Sequence, residues 1–316
     1  MEKYSYQYIF GPVPSRRLGI SLGVDLIPFK TCSLDCIYCE CGGTNNLTLE
    51  RKKYVPTYMV IEELNHYLNQ DPALDFITFS GSGEPTLHSG IGKVVSFIKN
   101  NFPNYRVALI TNATMFHQPE LRDEIKSVDL LLPSLDAASD KVFRAINRPV
   151  PGMNVQKLID GMAEFRKIFS GEIWLEIFII PGINDSDQEL KLMKEAVQKI
   201  QPDKIQLNTL DRPGTEGWIV PASREHLEKI ASTFDLRCEI IAKFKERRAI
   251  PSYRADIEQI ILQTIKRRPC TVEDLASMLG LHQNEINKYI SNLINEKQIV
   301  TEVLGLLFRY GYSKSR

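Results

Sequence analysis

No run in these 316 residues approaches the ~20 consecutive apolar positions that a helix needs to cross a bilayer, so a helical membrane protein is excluded. The first residues, "MEKYSYQYIFGPVPSRR", lack the apolar core of a secretory signal. The expectation is a cytoplasmic, reducing compartment and therefore no disulfide framework. Neither sign of charge is in excess, with Lys+Arg and Asp+Glu at 39 each, so overall charge gives no grounds for a nucleic-acid or membrane partner. The five histidines show no paired spacing, which argues against a histidine-based metal site. No Ser–His–Asp arrangement, solenoid repeat or low-complexity tract can be read. Cysteine is scarce too, yet four of the six fall within ten residues of "KTCSLDCIYCECGGT", Lys30 to Thr44. Cys238 and Cys270 stand apart from them and read as isolated thiols.

The rest of the chain has the length and the apolar content, 43%, of an ordinary globular protein with one large unit or a large and a small one. Short β-branched runs alternate with stretches of helical period, predicting six βα units around parallel strands. The strands are expected at 19–27, 75–81, 105–111, 128–136, 172–180 and 203–209. Helices at 57–70 and 187–200 carry apolar residues on one face, as crossovers do. Period alone leaves an incomplete barrel and a doubly wound open sheet both open. Binding-type residues recur at the strand ends, in "SGSGEPT", "TNAT", "SLDA", "IPGIND" and "NTLDRPGT", where parallel α/β folds place their sites.

Cys32-x3-Cys36-x2-Cys39 offers three thiolates from one loop, leaving one position of a metal centre open. Zinc sites of the closed type use four ligands, commonly as two separated pairs, and here Cys41 would be the fourth; soft thiolates also suit iron–sulfur clusters. The spacing favours the cluster. Cys41 has three readings: a bystander, a replacement ligand when the cofactor is absent, or a participant in the chemistry.

"CSLDCIYC" resembles the CxxxCxΦC motif of the radical S-adenosylmethionine (radical SAM) superfamily, with Tyr38 as the aromatic residue. "GSGEP" resembles the family's glycine-rich motif after the second strand. The opening "FGPVPSRRLGISLGVDLIPFKTC" is similar to a branch of Fe–S oxidoreductases grouped with wybutosine-synthesis-like and molybdenum-cofactor-synthesis-like radical enzymes; the latter's second cysteine triplet has no counterpart here. The resemblance, over roughly residues 10 to 240, implies an α/β fold of the partial (β/α)6 barrel type. It implies a [4Fe–4S] cluster on Cys32, Cys36 and Cys39, and S-adenosylmethionine contacts from Tyr38, Gly81, Ser82, Gly83, Glu84, Asn112, Ser134, Asp136, Ile180, Gly182 and Asn208. It implies an enzyme that reductively cleaves S-adenosylmethionine to a 5′-deoxyadenosyl radical, which takes hydrogen from a substrate, with electrons from a donor such as flavodoxin or ferredoxin. Glu84 also reads as a helix cap, and "SLDA" as a plain strand end.

Arg16 and Arg17, ahead of the first strand, read either as a solvated pair or as a clamp for a substrate phosphate or carboxylate. The pattern changes at "KERRAIPSYRAD", giving domains at 1–245 and 256–316 with a linker at 246–255. The second reads as three helices and a hairpin, a winged-helix domain, although its nine basic against seven acidic residues from Pro251 onward are weak for duplex binding. Gln283, Asn284, Asn287 and Lys288 would form its polar recognition face, holding tRNA or a peptide, or else the module serves packing or dimerisation. The rival to an enzyme is an iron–sulfur redox-sensing regulator that binds DNA through this domain.

Overall fold

A computed structural model of the chain describes residues 6–15, 17–210, 214–234, 236–242, 255–267, 270–279, 281–304 and 307–312. The expected linker up to residue 254, and Arg16, lie outside the described residues; Ala255, the linker's last expected residue, already begins a helix.

All six expected strands form, and two more flank them. In chain order the elements are β1 (Ile9–Ser15), β2 (Gly19–Val24), the two-residue β3 (Thr31–Cys32) and β4 (Asn46–Leu47), then α1 (Thr57–Leu68), β5 (Phe76–Phe79), α2 (Ile91–Asn101), β6 (Val107–Thr111) and α3 (Pro119–Ile125). There follow β7 (Leu130–Pro133), α4 (Asp140–Asn147), α5 (Val155–Arg166), β8 (Glu172–Phe178), α6 (Asp187–Ile200), β9 (Lys204–Asn208), α7 (Arg224–Ala231) and β10 (Cys238–Ile240). The main sheet has eight strands in the order β1-β2-β5-β6-β7-β8-β9-β10. Only the β1–β2 pair is antiparallel. Strand order follows chain order from β5 to β9, so each crossover moves the chain one place along the sheet, as in an incomplete barrel. β1 carries Pro12 and Pro14 and a register shift between Phe10 and Val13, which an edge strand tolerates because one side of its backbone has no ladder to complete.

Side-chain alternation sorts the strands into two faces. Ile173, Leu175, Ile177, Ile205 and Leu207 join the large core under the helices. The opposite face holds a smaller cluster of Phe76, Ala108, Leu130 and Leu132 with Trp174, and Leu18 from the β1–β2 turn packs into it. The crossover helices start where short polar side chains hold their first amide groups: Ser139 accepts from Val142 N, Asn154 from Lys157 N and Ser186 from Glu189 N.

Residues 255–312 build a separate core from α8 (Ala255–Arg267), α9 (Val272–Leu279) and α10 (Gln283–Asn295), followed by the antiparallel pair β11 (Ile299–Leu304) and β12 (Leu307–Tyr312). Contact with the α/β unit includes Glu285, whose carboxylate accepts from the Gly11 amide, and His282, which caps α10. Its ring stacks on Phe10 with centroids 4.4 Å apart. Its Nδ1 accepts from Asn284 N at 3.2 Å, which leaves the proton on Nε2, 3.5 Å from Asp25 Oδ2.

Candidate functional site

The cysteine loop leaves β2 and is clamped on two sides. On one side Lys30 N donates to Ser82 O (3.0 Å) and Glu84 N donates to Thr31 O (3.1 Å). On the other, Asp35 N and Ile37 N donate to the carbonyls of Asn147 and Ile146, at the C-terminal end of α4, both at 2.9 Å. Between these clamps the thiols of Cys32, Cys36 and Cys39 come near enough that Cys39 raises the cost of ionising the other two. Each sulfur accepts from a side-chain nitrogen. Asn112 Nδ2 lies 3.4 Å from Cys32 Sγ, Asn147 Nδ2 lies 3.3 Å from Cys36 Sγ, and Lys30 Nζ lies 3.1 Å from Cys39 Sγ.

Burial, then Glu84, pushes the Cys32 thiol up to about 12, and burial with Asp136 pushes Cys36 well above the ordinary thiol range. Cys39 goes the other way, to about 5: a hydrogen bond from Cys41 outweighs burial, and the Lys30 ammonium adds to it. Among the described residues no three His, Cys, Asp or Glu side chains converge tightly enough to hold one metal ion. Thiolates on different irons of a four-iron cluster stand further apart than ligands of a single ion. A hydrogen-bond donor on each sulfur is the surrounding that tunes the thiolate ligands of such a cluster.

The "GSGEP" segment forms the wall beside this loop, and its glycines are required by protein neighbours. A Cβ on Gly83 would lie 1.9 Å from Thr31 O, and one on Gly81 would lie 2.1 Å from Asp25 Oδ1. Asp25 Oδ2 accepts from both the amide and the hydroxyl of Ser82, at 3.3 and 3.2 Å, so it holds the turn from behind. Glu84 points inward. Its Oε1 accepts from Thr86 N, Thr86 Oγ1 and Thr111 Oγ1, and its Oε2 from Asn112 N at 2.7 Å. The carboxylate caps the short 3-10 turn Pro85–Leu87 and fixes the residue whose amide reaches Cys32. Burial raises its pKa against those hydrogen bonds.

A small cavity of about 40 Å³ at the strand ends is lined by Cys36, Tyr38, Asn112, Ser134 and Asp136 among others, bringing together five residues named from the sequence. Tyr38 OH donates to Asp136 Oδ2 at 2.6 Å, and its ring stacks on Phe178 at 3.9 Å. Burial raises the Asp136 pKa to about 6 against hydrogen bonds from Tyr38, Asn147 and Phe178 N. Asn147, which the sequence reading did not single out, also lines the cavity, donating to Asp136 Oδ2 at 2.7 Å while its buried Oδ1 has no protein partner. An orphaned buried acceptor here fits a ligand that supplies a donor.

The remaining named residues lie outside this cavity's lining. Ile180 packs with Ile37 and Ile146 beneath Tyr38. Gly182 makes the turn after β8 with φ 79°, a conformation suited to glycine. Asn208 donates to Glu176 Oε1 at 3.0 Å. Arg17 reaches across the sheet to pair with the same Glu176 and approaches Gln206 Oε1 at 3.5 Å. Lys30, Asp25 and Asn147 were missed. Lys30 had one signal, its place two residues before the first cysteine.

Residues 26–193 match the family model described as the radical SAM superfamily. The chain belongs to that superfamily. It is 33% identical over 317 residues to a UPF0026 protein of Methanocaldococcus jannaschii, covering 97% of each. It is 34% identical over 310 residues to the GTPase Obg of Brachyspira hyodysenteriae, covering 98% of this chain but 45% of that protein, so it spans less than half of that relative's length. The fold is similar to that of a radical SAM methyltransferase from Sphaerobacter thermophilus, with a TM-score of 0.54, 17% identity, and coverage of 71% of this chain and 67% of that one. This radical SAM chain is accordingly an enzyme that uses a [4Fe–4S] cluster and S-adenosylmethionine. Among the described residues no helix is long and apolar enough to cross a membrane.

Proposed function

We propose that Cys32, Cys36 and Cys39 hold a four-iron four-sulfur cluster whose fourth iron is left for S-adenosylmethionine, and that the cavity around Tyr38, Asn112, Ser134, Asp136 and Asn147 opens onto that cofactor. The observation that carries this reading is the nitrogen donor on each of the three sulfurs. When bound, the cluster supplies one low-potential electron for cleaving the sulfonium, giving a 5′-deoxyadenosyl radical that abstracts hydrogen from the substrate. The protein's share is placement. Asp25 and Glu84 brace the turn at Gly81 to Glu84, Asp136 fixes Tyr38, and the β1–β2 turn with Leu18 and Arg17 fills the other end of the sheet's inner face, so substrate enters from the cysteine side.

The same reading takes residues 1–245 as the barrel unit, 246–255 as linker and 256–316 as a winged-helix domain, supported by the order of α8, α9, α10, β11 and β12. Gln283, Asn284, Asn287 and Lys288 would meet a macromolecular substrate, a tRNA or a peptide. A flavodoxin- or ferredoxin-type donor in the cytoplasm would supply the electron. The test is anaerobic reaction of the dithionite-reduced, cluster-loaded protein with S-adenosylmethionine and pools of RNA or peptide. One pool should raise 5′-deoxyadenosine above the uncoupled background. A reconstituted protein that binds zinc without sulfide contradicts the proposal.

A further inference from the structure

We propose that Lys30 sets the reduction potential of the cluster, acting as a buried cation hydrogen-bonded to one of its sulfur ligands; this rests on the cluster reading above. Of the three side-chain nitrogen donors that meet the cysteine sulfurs, the Asn112 and Asn147 amides bring only dipoles, whereas Lys30 brings a whole charge. The residue is 3% exposed, and its Nζ lies 3.1 Å from Cys39 Sγ.

The backbone holds the side chain inward. Lys30 has φ 57°, a left-handed conformation that a residue with a Cβ adopts at some cost, and surrounding hydrogen bonds fix it there. Its amide donates to Ser82 O at 3.0 Å, and its carbonyl accepts from Asn45 N and Asn46 N at 3.0 and 3.1 Å. Among the described residues no carboxylate forms an ion pair with it, so its countercharge is the sulfur set. The ammonium brings its charge to 3.1 Å from Cys39 Sγ, where it makes a charge-assisted hydrogen bond to the sulfur.

Its effect on the potential follows from Coulomb's law. Three thiolates already give the cluster region negative charge, and one-electron reduction adds another. A fixed cation in contact with a ligand sulfur, in surroundings of low dielectric, favours the more reduced state. Reduction becomes easier, which brings the cluster within reach of a cellular donor. Lys30 is a positioning residue for charge; it need not touch substrate.

The test is a mediated potentiometric titration of the full-length, anaerobically reconstituted protein, following the electron paramagnetic resonance of the reduced cluster. Lys30→Met should lower the equilibrium constant for one-electron reduction about tenfold, a midpoint ~59 mV more negative for a one-electron couple. Lys30→Gln, which keeps a donor without the charge, should fall nearly as far, and Lys30→Arg should stay within about threefold of wild type. A neutral variant with full iron and sulfide and an unshifted midpoint overturns the proposal. So does loss of the cluster in both neutral variants with retention in Lys30→Arg, because that assigns Lys30 to assembly. If the wild-type protein takes up no four-iron cluster, the underlying cluster reading fails instead.

Discussion

The two cores of this chain differ in how many buried polar groups they gather. Beneath and around the cysteine loop the α/β unit buries Asp25, Lys30, Ser82, Glu84, Asp136 and Asn147, each at 7% exposure or less. Among the C-terminal residues whose side chains are described, Ser291 alone is a polar residue buried to a comparable degree. Burying such groups costs free energy unless each is paired, so a unit that gathers them at one end of its sheet is sacrificing stability for a site. The C-terminal unit gathers no such cluster, although Glu258 keeps one buried carboxylate oxygen without a protein partner, and it reads as a folded attachment that meets the α/β unit at His282 and Glu285. Chemistry and stability are thus divided between the two regions, and substitutions can test the division.

The largest effect should come from the loop. Cys32→Ala, Cys36→Ala or Cys39→Ala should each abolish cluster binding, measured as iron and sulfide per chain, while Cys41→Ala keeps most of it. Next is Gly83→Val. Because the space beside Gly83 is taken by Thr31 O, the variant should disturb the cysteine loop itself, lowering cluster content together with S-adenosylmethionine affinity; calorimetry showing weaker binding with full iron would instead put the ligand alone beside Gly83.

In the other region, Leu275→Ala removes a fully buried side chain from the small core. It should cost that unit about 2–5 kcal/mol and add an early transition in thermal unfolding, with cluster content unchanged. Loss of iron in this variant would erase the contrast between the regions.

The smallest effect concerns the link. Burial holds His282 at about 4, below its ordinary 6.5, so the native ring stays neutral where the unfolded one takes a proton. Its contribution to stability is complete above pH 6.5 and is lost as pH falls toward 4. His88, buried by Thr57, behaves alike. Asp25 runs against both: burial raises it to about 6, so the native carboxyl holds a proton that the unfolded one has released, and that contribution fades as pH rises through 6. His282→Gln should therefore reduce the stability lost between pH 7 and pH 5 by on the order of 1–2 kcal/mol, read from urea midpoints at the two pH values. An unaltered difference would mean that the ring is not buried against Phe10 and Asp25.

The six inner strands were legible because apolar β-branched runs alternated with amphipathic helices at regular intervals. β1 was not, since Pro12 and Pro14 argue against a strand except at an edge, and β10, with three residues, is too short to show a period. The cysteine triplet was legible from spacing alone. Its partners were not: Asn112 lies 80 residues from Cys32 and Asn147 lies 111 residues from Cys36, and only the fold brings them together. Glu84 was legible as a residue that matters, but its inward turn toward Thr86, Thr111 and Asn112 was visible only once β5 and β6 were side by side.

The central claim is that this loop and cavity perform reductive cleavage of S-adenosylmethionine. The most direct measurement is single-turnover chromatography of the anaerobic, cluster-loaded, dithionite-reduced protein mixed with S-adenosylmethionine. The account predicts 5′-deoxyadenosine and methionine in equal amounts from the wild type, and neither from Cys36→Ala. Fully loaded, reduced wild-type protein that leaves S-adenosylmethionine intact would contradict it.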